Sequence, residues 1–186
     1  MAHPHIWLSL KVELNYHADG SFTGVRHIWT FEEMFTAFTV SGLTKKDGTF
    51  SREQLMPLAR RYVGSLKNYD YFTFGKGDGA KLEFADPPDY WFEYEEGVLI
   101  LNFILPLKTP AKLKQLALEI YDPTYFVALS PADKNPASLR QAPPDCKLRV
   151  GLPARAQVVD ESFFANLPDA RNWAVQFATV MTVACP

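Results

Sequence analysis

Ile6-Trp7-Leu8-Ser9-Leu10-Lys11-Val12-Glu13-Leu14-Asn15-Tyr16 alternates without a break. Ile6, Leu8, Leu10, Val12, Leu14 and Tyr16 fall on one face, and Trp7, Ser9, Lys11, Glu13 and Asn15 on the other. That is the period of a strand with one buried side. His17-Ala18-Asp19-Gly20 then supplies turn chemistry, with Asp-Gly a strong hairpin signal. The chain returns through a second strand, about residues 22–31, whose more apolar face is Val25, His27, Trp29 and Phe31. An apolar hairpin face needs a second layer to cover it.

The segments that follow supply that layer. Glu32 and Glu33 open a helical pattern to about Val40, where acidic residues suit the helix dipole and Thr30 is a cap candidate. The stretch Leu43–Gln54 resembles an EF-hand loop in its second half. Leu43, Lys45 and Gln54 occupy ligand positions, however, which argues against calcium. Ser51 with Gln54 reads instead as a capping box for a helix over about 52–67, with Pro57 placed to shift its start. From Tyr69 the period changes to two. Tyr71–Phe74 and Lys81–Phe84 flank a glycine-rich hairpin loop, whose Gly-x-Gly-x-Gly spacing lacks the strand-loop-helix setting of a phosphate cradle. Asp89–Tyr94 and Val98–Leu105 form another hairpin across Glu95-Glu96-Gly97. Pro106–Lys114 reads as a linker, and Leu116–Tyr121 and Tyr125–Leu129 as strands interrupted at Asp122-Pro123-Thr124. Residues 130–145, with Pro131, Pro136, Pro143 and Pro144, read as a loop. Lys147–Leu152, Ala156–Val159 and Trp173–Ala184 close the chain as strands. The expected architecture is α+β: mainly antiparallel β, sandwich-like, with two helices inserted after the N-terminal hairpin. One domain over residues 1–186 is expected, with its helical insertion at about 32–67.

Composition narrows the function classes. Of 186 residues, 47% are hydrophobic and 14% aromatic, which suits a folded chain. A formal charge of −2 gives no net draw towards nucleic acid or an anionic membrane. No apolar run reaches the length of a membrane span; the longest, Val98–Leu105, is interrupted by Asn102. Cys146 and Cys185 have no metal-ligand spacing and read either as a bridge or as two small apolar residues.

The histidines are unevenly placed. His3, His5, His17 and His27 all lie in the first 27 residues, and His3 and His5 flank Pro4. Imidazole is the commonest metal ligand in proteins, so His3 and His5 are the primary ligand candidates. His17 sits at the far turn, roughly 30 Å away at about 3.3 Å per strand residue. His27 lies on the apolar face and reads as a hydrogen-bonded core residue. Hairpin geometry brings residues 31–33 back beside residues 6–8, which makes Glu32 and Glu33 candidate partners. A leader removed after Ala2 would leave His3 as the first residue, whose free amine would add a nitrogen to the set.

Three stretches in this order, His3-Pro4-His5-Ile6-Trp7, Trp29-Thr30-Phe31-Glu32-Glu33-Met34-Phe35 and Tyr121-Asp122-Pro123-Thr124-Tyr125-Phe126, resemble one family over nearly the whole chain. It is the domain-of-unknown-function 1007 family, bacterial proteins described as periplasmic components of an uncharacterised ABC-type transport system. The family commonly has Phe-Asp-Glu where this chain has Phe31-Glu32-Glu33. The resemblance implies export to the periplasm, association with transition-metal transport, a membrane transporter as partner, and a bridge between Cys146 and Cys185. With it, the expected function is a non-enzymatic metal-binding protein. His3 and His5 would be ligands, completed by Glu32, Glu33 or Asp122, for Zn²⁺, Ni²⁺, Co²⁺ or Cu²⁺. The alternative is a β-rich interaction module that docks on a transporter subunit or envelope protein without a metal site. No motif places a nucleophile beside a base.

Overall fold

The structure, a computed structural model, describes residues 2–186, and of Ala2 the backbone alone; Met1, part of the reading of the terminus, lies outside the described residues. After β1 (Ala2–His3), the alternating stretch forms β2 (Ile6–Tyr16), and the Asp19-Gly20 turn returns it as β3 (Phe22–Phe31). α1 (Glu33–Thr39) follows directly. Its N-cap is Glu32, which makes no side-chain cap bond, while Thr30 stays in β3 and caps nothing. α2 (Arg52–Leu66) begins at the expected capping box: Gln54 N donates to Ser51 Oγ at 3.3 Å and Ser51 N to Gln54 Oε1 at 3.0 Å. Pro57 lies inside this helix and does not move its start. A 3-10 stretch (Lys67–Phe72) leads into β4 (Thr73–Gly77) and β5 (Ala80–Lys81). The second hairpin is β6 (Tyr90–Glu95) with β7 (Val98–Ala111). Two-residue turns close both pairs: Asp78-Gly79 has φ of 47° and 84°, and Glu96-Gly97 has 49° and 87°. Those angles are the left-handed pair that matches strand twist.

The remaining strands are β8 (Gln115–Ile120), β9 (Val127–Pro131), β10 (Ala137–Arg140), β11 (Lys147–Gly151), β12 (Val159–Asp160) and β13 (Thr179–Ala184). Between the last two lie α3 (Glu161–Ala165), α4 (Ala170–Ala174) and a 3-10 turn (Val175–Phe177). The expected strand from Trp173 is not formed over residues 173–178. Asp169 instead caps a helix, its side chain accepting from Asn172 N at 2.9 Å, and the strand starts only at Thr179.

Two main sheets result, mostly antiparallel. One runs β10-β2-β3-β7-β6 with β9 also on β2; the other runs β11-β13-β8-β4-β5. Leu8, Leu10, Val12 and Leu14 are buried together with Val25, His27, Trp29 and Phe31, the face read from the alternation. Leu118, Ile120, Met181 and Val183 of the second sheet and Leu55, Ala59 and Val63 of α2 join the same core. The outer edge of β2 is closed by two parallel segments: β9 pairs along Ile6–Leu10 and β10 along Val12–Asn15. The proline-rich stretch expected as a loop therefore contains β10. Of the expected linker Pro106–Lys114, residues 106–111 belong to β7 and only 112–114 connect it to β8. Pro106 sits opposite Gly24 at a register irregularity, where a missing N–H breaks no regular ladder.

Gly24 is required there. Its φ is +146°, and a Cβ would stand 2.4 Å from Leu105 O and 2.8 Å from Pro106 Cα. Both obstacles are backbone. Gly24→Ala is expected to cost roughly 2 kcal/mol or more, since it combines a disfavoured φ with a clash that cannot rotate away. A urea midpoint within error of the parent would refute this.

Ahead of β4, Asp70, Tyr71 and Phe72 hold consecutive φ values of 53°, 52° and 56°. Left-handed residues other than glycine cost about 1–2 kcal/mol each, so this turn is held from outside. Phe72 stacks on Trp29 at 5.9 Å, Tyr71 Oη donates to Asp86 Oδ1 at 2.8 Å, and Thr73 Oγ1 donates to Tyr71 O at 2.9 Å.

Candidate functional site: the histidine pair at the N-terminal tip

The tip leaves the hairpin axis. His5 N and Ile6 N both donate to Phe126 O, at 2.8 and 3.2 Å, and β1 pairs antiparallel with β12, placing His3 opposite Val159. The His3–Pro4 peptide bond is cis. The two imidazoles face each other edge to face with ring centroids 4.7 Å apart. His3 also lies 4.7 Å from the Phe164 ring, and His5 4.6 Å from Phe126. Pro4 is buried, His3 half-buried and His5 exposed. The Nδ1 atom of His3 is shielded from solvent and has no hydrogen-bond partner among the described residues. A buried ring nitrogen left unpaired is costly unless it is a ligand or is met by water.

One acidic residue reaches this pair that the sequence did not single out. Glu161, first residue of α3, lies within electrostatic range of both His3 and His5. The signal for its helix was present: Asp160 is an N-cap, accepting from Ser162 N at 2.7 Å. Nothing local in the sequence connects that cap to residue 3.

The acids proposed from sequence are placed as follows. Glu32 N donates to Trp7 O at 3.3 Å, so hairpin geometry does bring residue 32 beside residue 7. Glu33 is exposed in the first turn of α1. Asp122 is 3% exposed. Its Oδ1 accepts from Thr124 N and Thr124 Oγ1, both at 2.8 Å, and its Oδ2 from Val127 N at 2.9 Å. Burial pushes the Asp122 carboxyl above its ordinary range, opposed by these bonds. Both its oxygens are committed to shaping the turn into β9. Among the described residues no three histidine, cysteine, aspartate or glutamate side chains gather as a ready-made metal shell. The pair His3–His5 is what the fold assembles.

His17 is exposed in the turn. His27 is fully buried, stacked on Phe103 at 4.5 Å. Trp29 Nε1 donates to His27 Nδ1 at 3.3 Å, which puts the proton on Nε2, 3.1 Å from Thr73 Oγ1. Thr73 passes the direction on to Tyr71 O. Burial pushes the His27 pKa down from 6.5 to about 3, so the ring is neutral. At the other end of the chain, Cys146 and Cys185 are joined, with Cα atoms 4.2 Å apart.

The chain matches the family described as "Protein of unknown function (DUF1007)" over residues 1–185. An uncharacterized protein of Haemophilus influenzae is 22% identical over 151 residues, covering 79% of this chain and 71% of that protein. An uncharacterized 15.5 kDa protein from the trpE 3' region of Spirochaeta aurantia is 30% identical over 100 residues, covering 50% of this chain and 68% of that protein.

Proposed function

The chain belongs to the DUF1007 family, and on that premise we propose that it is a periplasmic, non-enzymatic protein that binds a divalent transition metal as cargo for a membrane metal transporter. His3 and His5 are the ligands, and Glu161 lies within electrostatic range of both. The observation that carries the reading is the facing imidazole pair with the orphaned His3 Nδ1. Imidazole nitrogens of this kind suit Zn²⁺, Ni²⁺, Co²⁺ or Cu²⁺. The aromatic walls Phe126 and Phe164 restrict how the rings turn. The Cys146–Cys185 bridge supports an oxidising compartment. No helix among the described residues is long and apolar enough to cross a membrane.

Titration calorimetry with each of the four metals tests the reading. Changing His3 and His5 together to alanine is expected to weaken binding at least about tenfold, because even outer-shell losses cost that much. Unchanged affinity in a folded double variant would sink it. That outcome favours the interaction module instead, for which Met34 and Phe38 speak: spaced four apart on α1, they are 77% and 80% exposed.

A further inference from the structure

A cleft of about 490 Å³ opens beside β4, and it shares no lining residue with the histidine pair. Its size is that of a small-molecule site. The rings of Phe74 and Phe84 line it together with Leu82 and Ala117. The left-handed turn contributes Asp70 and Tyr71 to its wall. Strain of that kind, fixed by the core contacts of Phe72, accumulates at binding sites.

Charge gives the cleft its direction. Lys67 pairs with Asp86, Lys108 with Glu83 at 3.1 Å and Arg171 with Asp70 at 3.6 Å. Lys76 and Lys81, which also line it, make no ion pair among the described residues. These two stand directly opposite each other across the β4–β5 ladder. Like charges so placed repel and weaken a strand pair. A lysine on an edge strand discourages pairing with other chains, which explains Lys81; it leaves Lys76, on the inner strand β4, unexplained. Glu119 also lines the cleft, beside Phe74 across the β4–β8 ladder, and reaches neither ammonium as an ion pair.

We propose that this cleft binds a small organic anion, its charged group seated between Lys76 and Lys81 and its flat apolar body against Phe74, which projects from the same face of β4 as Lys76 and carries the Arg171 guanidinium 4.7 Å over its ring. The anion supplies the countercharge that the strand pair lacks, and the ring supplies the apolar contact. This assignment stands independently of the metal reading.

The test uses the full chain with 1-naphthoate, neutral 1-naphthalenemethanol and inorganic phosphate as probes, read by calorimetry and thermal unfolding. Naphthoate is expected to bind and raise the unfolding midpoint, with the alcohol and phosphate each at least tenfold weaker. In Lys76→Gln/Lys81→Gln the preference for naphthoate over the alcohol disappears. The same variant keeps its far-ultraviolet circular dichroism and melts no lower than the parent, because repulsion has been removed. Absent naphthoate binding, binding that the double variant leaves unchanged, or an alcohol that binds equally well would each overturn the proposal. Phosphate binding as tight as naphthoate would overturn the role of the Phe74 ring.

Discussion

Replacing Cys146 and Cys185 with serine is expected to remove up to about 4 kcal/mol of stability, the chain-entropy value for closing a loop of this size; the two positions are separated by 39 residues. The loss should be concentrated. Among the described residues β11 is an edge strand that pairs with β13 alone, and Lys147 lies opposite Ala184, so the bridge sits at the first rung of that ladder. Without it, β11 is free to fray from its start. Urea unfolding of the parent and the double serine variant at neutral pH measures the difference. Hydrogen exchange should place the fastest gain in exchange on residues 147–151. A difference below about 1 kcal/mol would mean that the β11–β13 ladder closes the loop unaided in the unfolded ensemble.

The second large effect is acid sensitivity from His27. Its pKa in the fold is pushed down to about 3 from 6.5, because a charged imidazole in that core would be unsolvated. The ring is neutral in both states at neutral pH and costs nothing there. Below pH 6.5 the unfolded chain takes up a proton that the folded chain refuses, so stability falls as pH falls, by about 1.4 kcal/mol per unit. Roughly 2 kcal/mol should be lost between pH 6.5 and about 4.5. Asp86, held low by Lys67 and Tyr71, adds a loss of the same sign, but only below the ordinary carboxylate range. Asp122, raised by burial, acts in the opposite sense: its contribution is present at low pH and is lost as pH rises. His27→Gln separates these contributions. The amide can still accept from Trp29 and donate to Thr73, yet it does not titrate in this range. The variant should be less stable than the parent at pH 7.5, with a flatter profile down to pH 4.5. Parallel profiles would remove His27 as the cause.

Much of the fold was legible because it is written in short periods. The alternation of β2 and β3 needs no information beyond the hairpin, and Ser51 with Gln54 names its own helix start. The parallel closure of β2 was not legible, since a strand's pattern does not say which distant segment will lie beside it. The C-terminal part was misread for a definite reason. Trp173, Val175 and Phe177 recur at every second position and imitate a strand, whereas the Asp169 cap outweighs them in the fold. Of the candidate site, residue type in the sequence picks out His3 and His5, and the fold sets their rings edge to face, 4.7 Å apart. Asp122 was chosen from its motif, which the fold uses to bend the backbone. Glu161 was invisible because only the β1–β12 pairing brings it near residue 3.

The two parallel segments on the outer edge of β2 also make its closure a long-range event. On one flank β3 follows directly along the chain. The other flank needs residues from Val127 and Ala137 onward, beyond α1, α2 and the whole of β4–β8. With that flank open, β2 presents a row of unpaired amides and carbonyls to whatever is near. Sealing it depends on sequence-distant contacts, which form slowly.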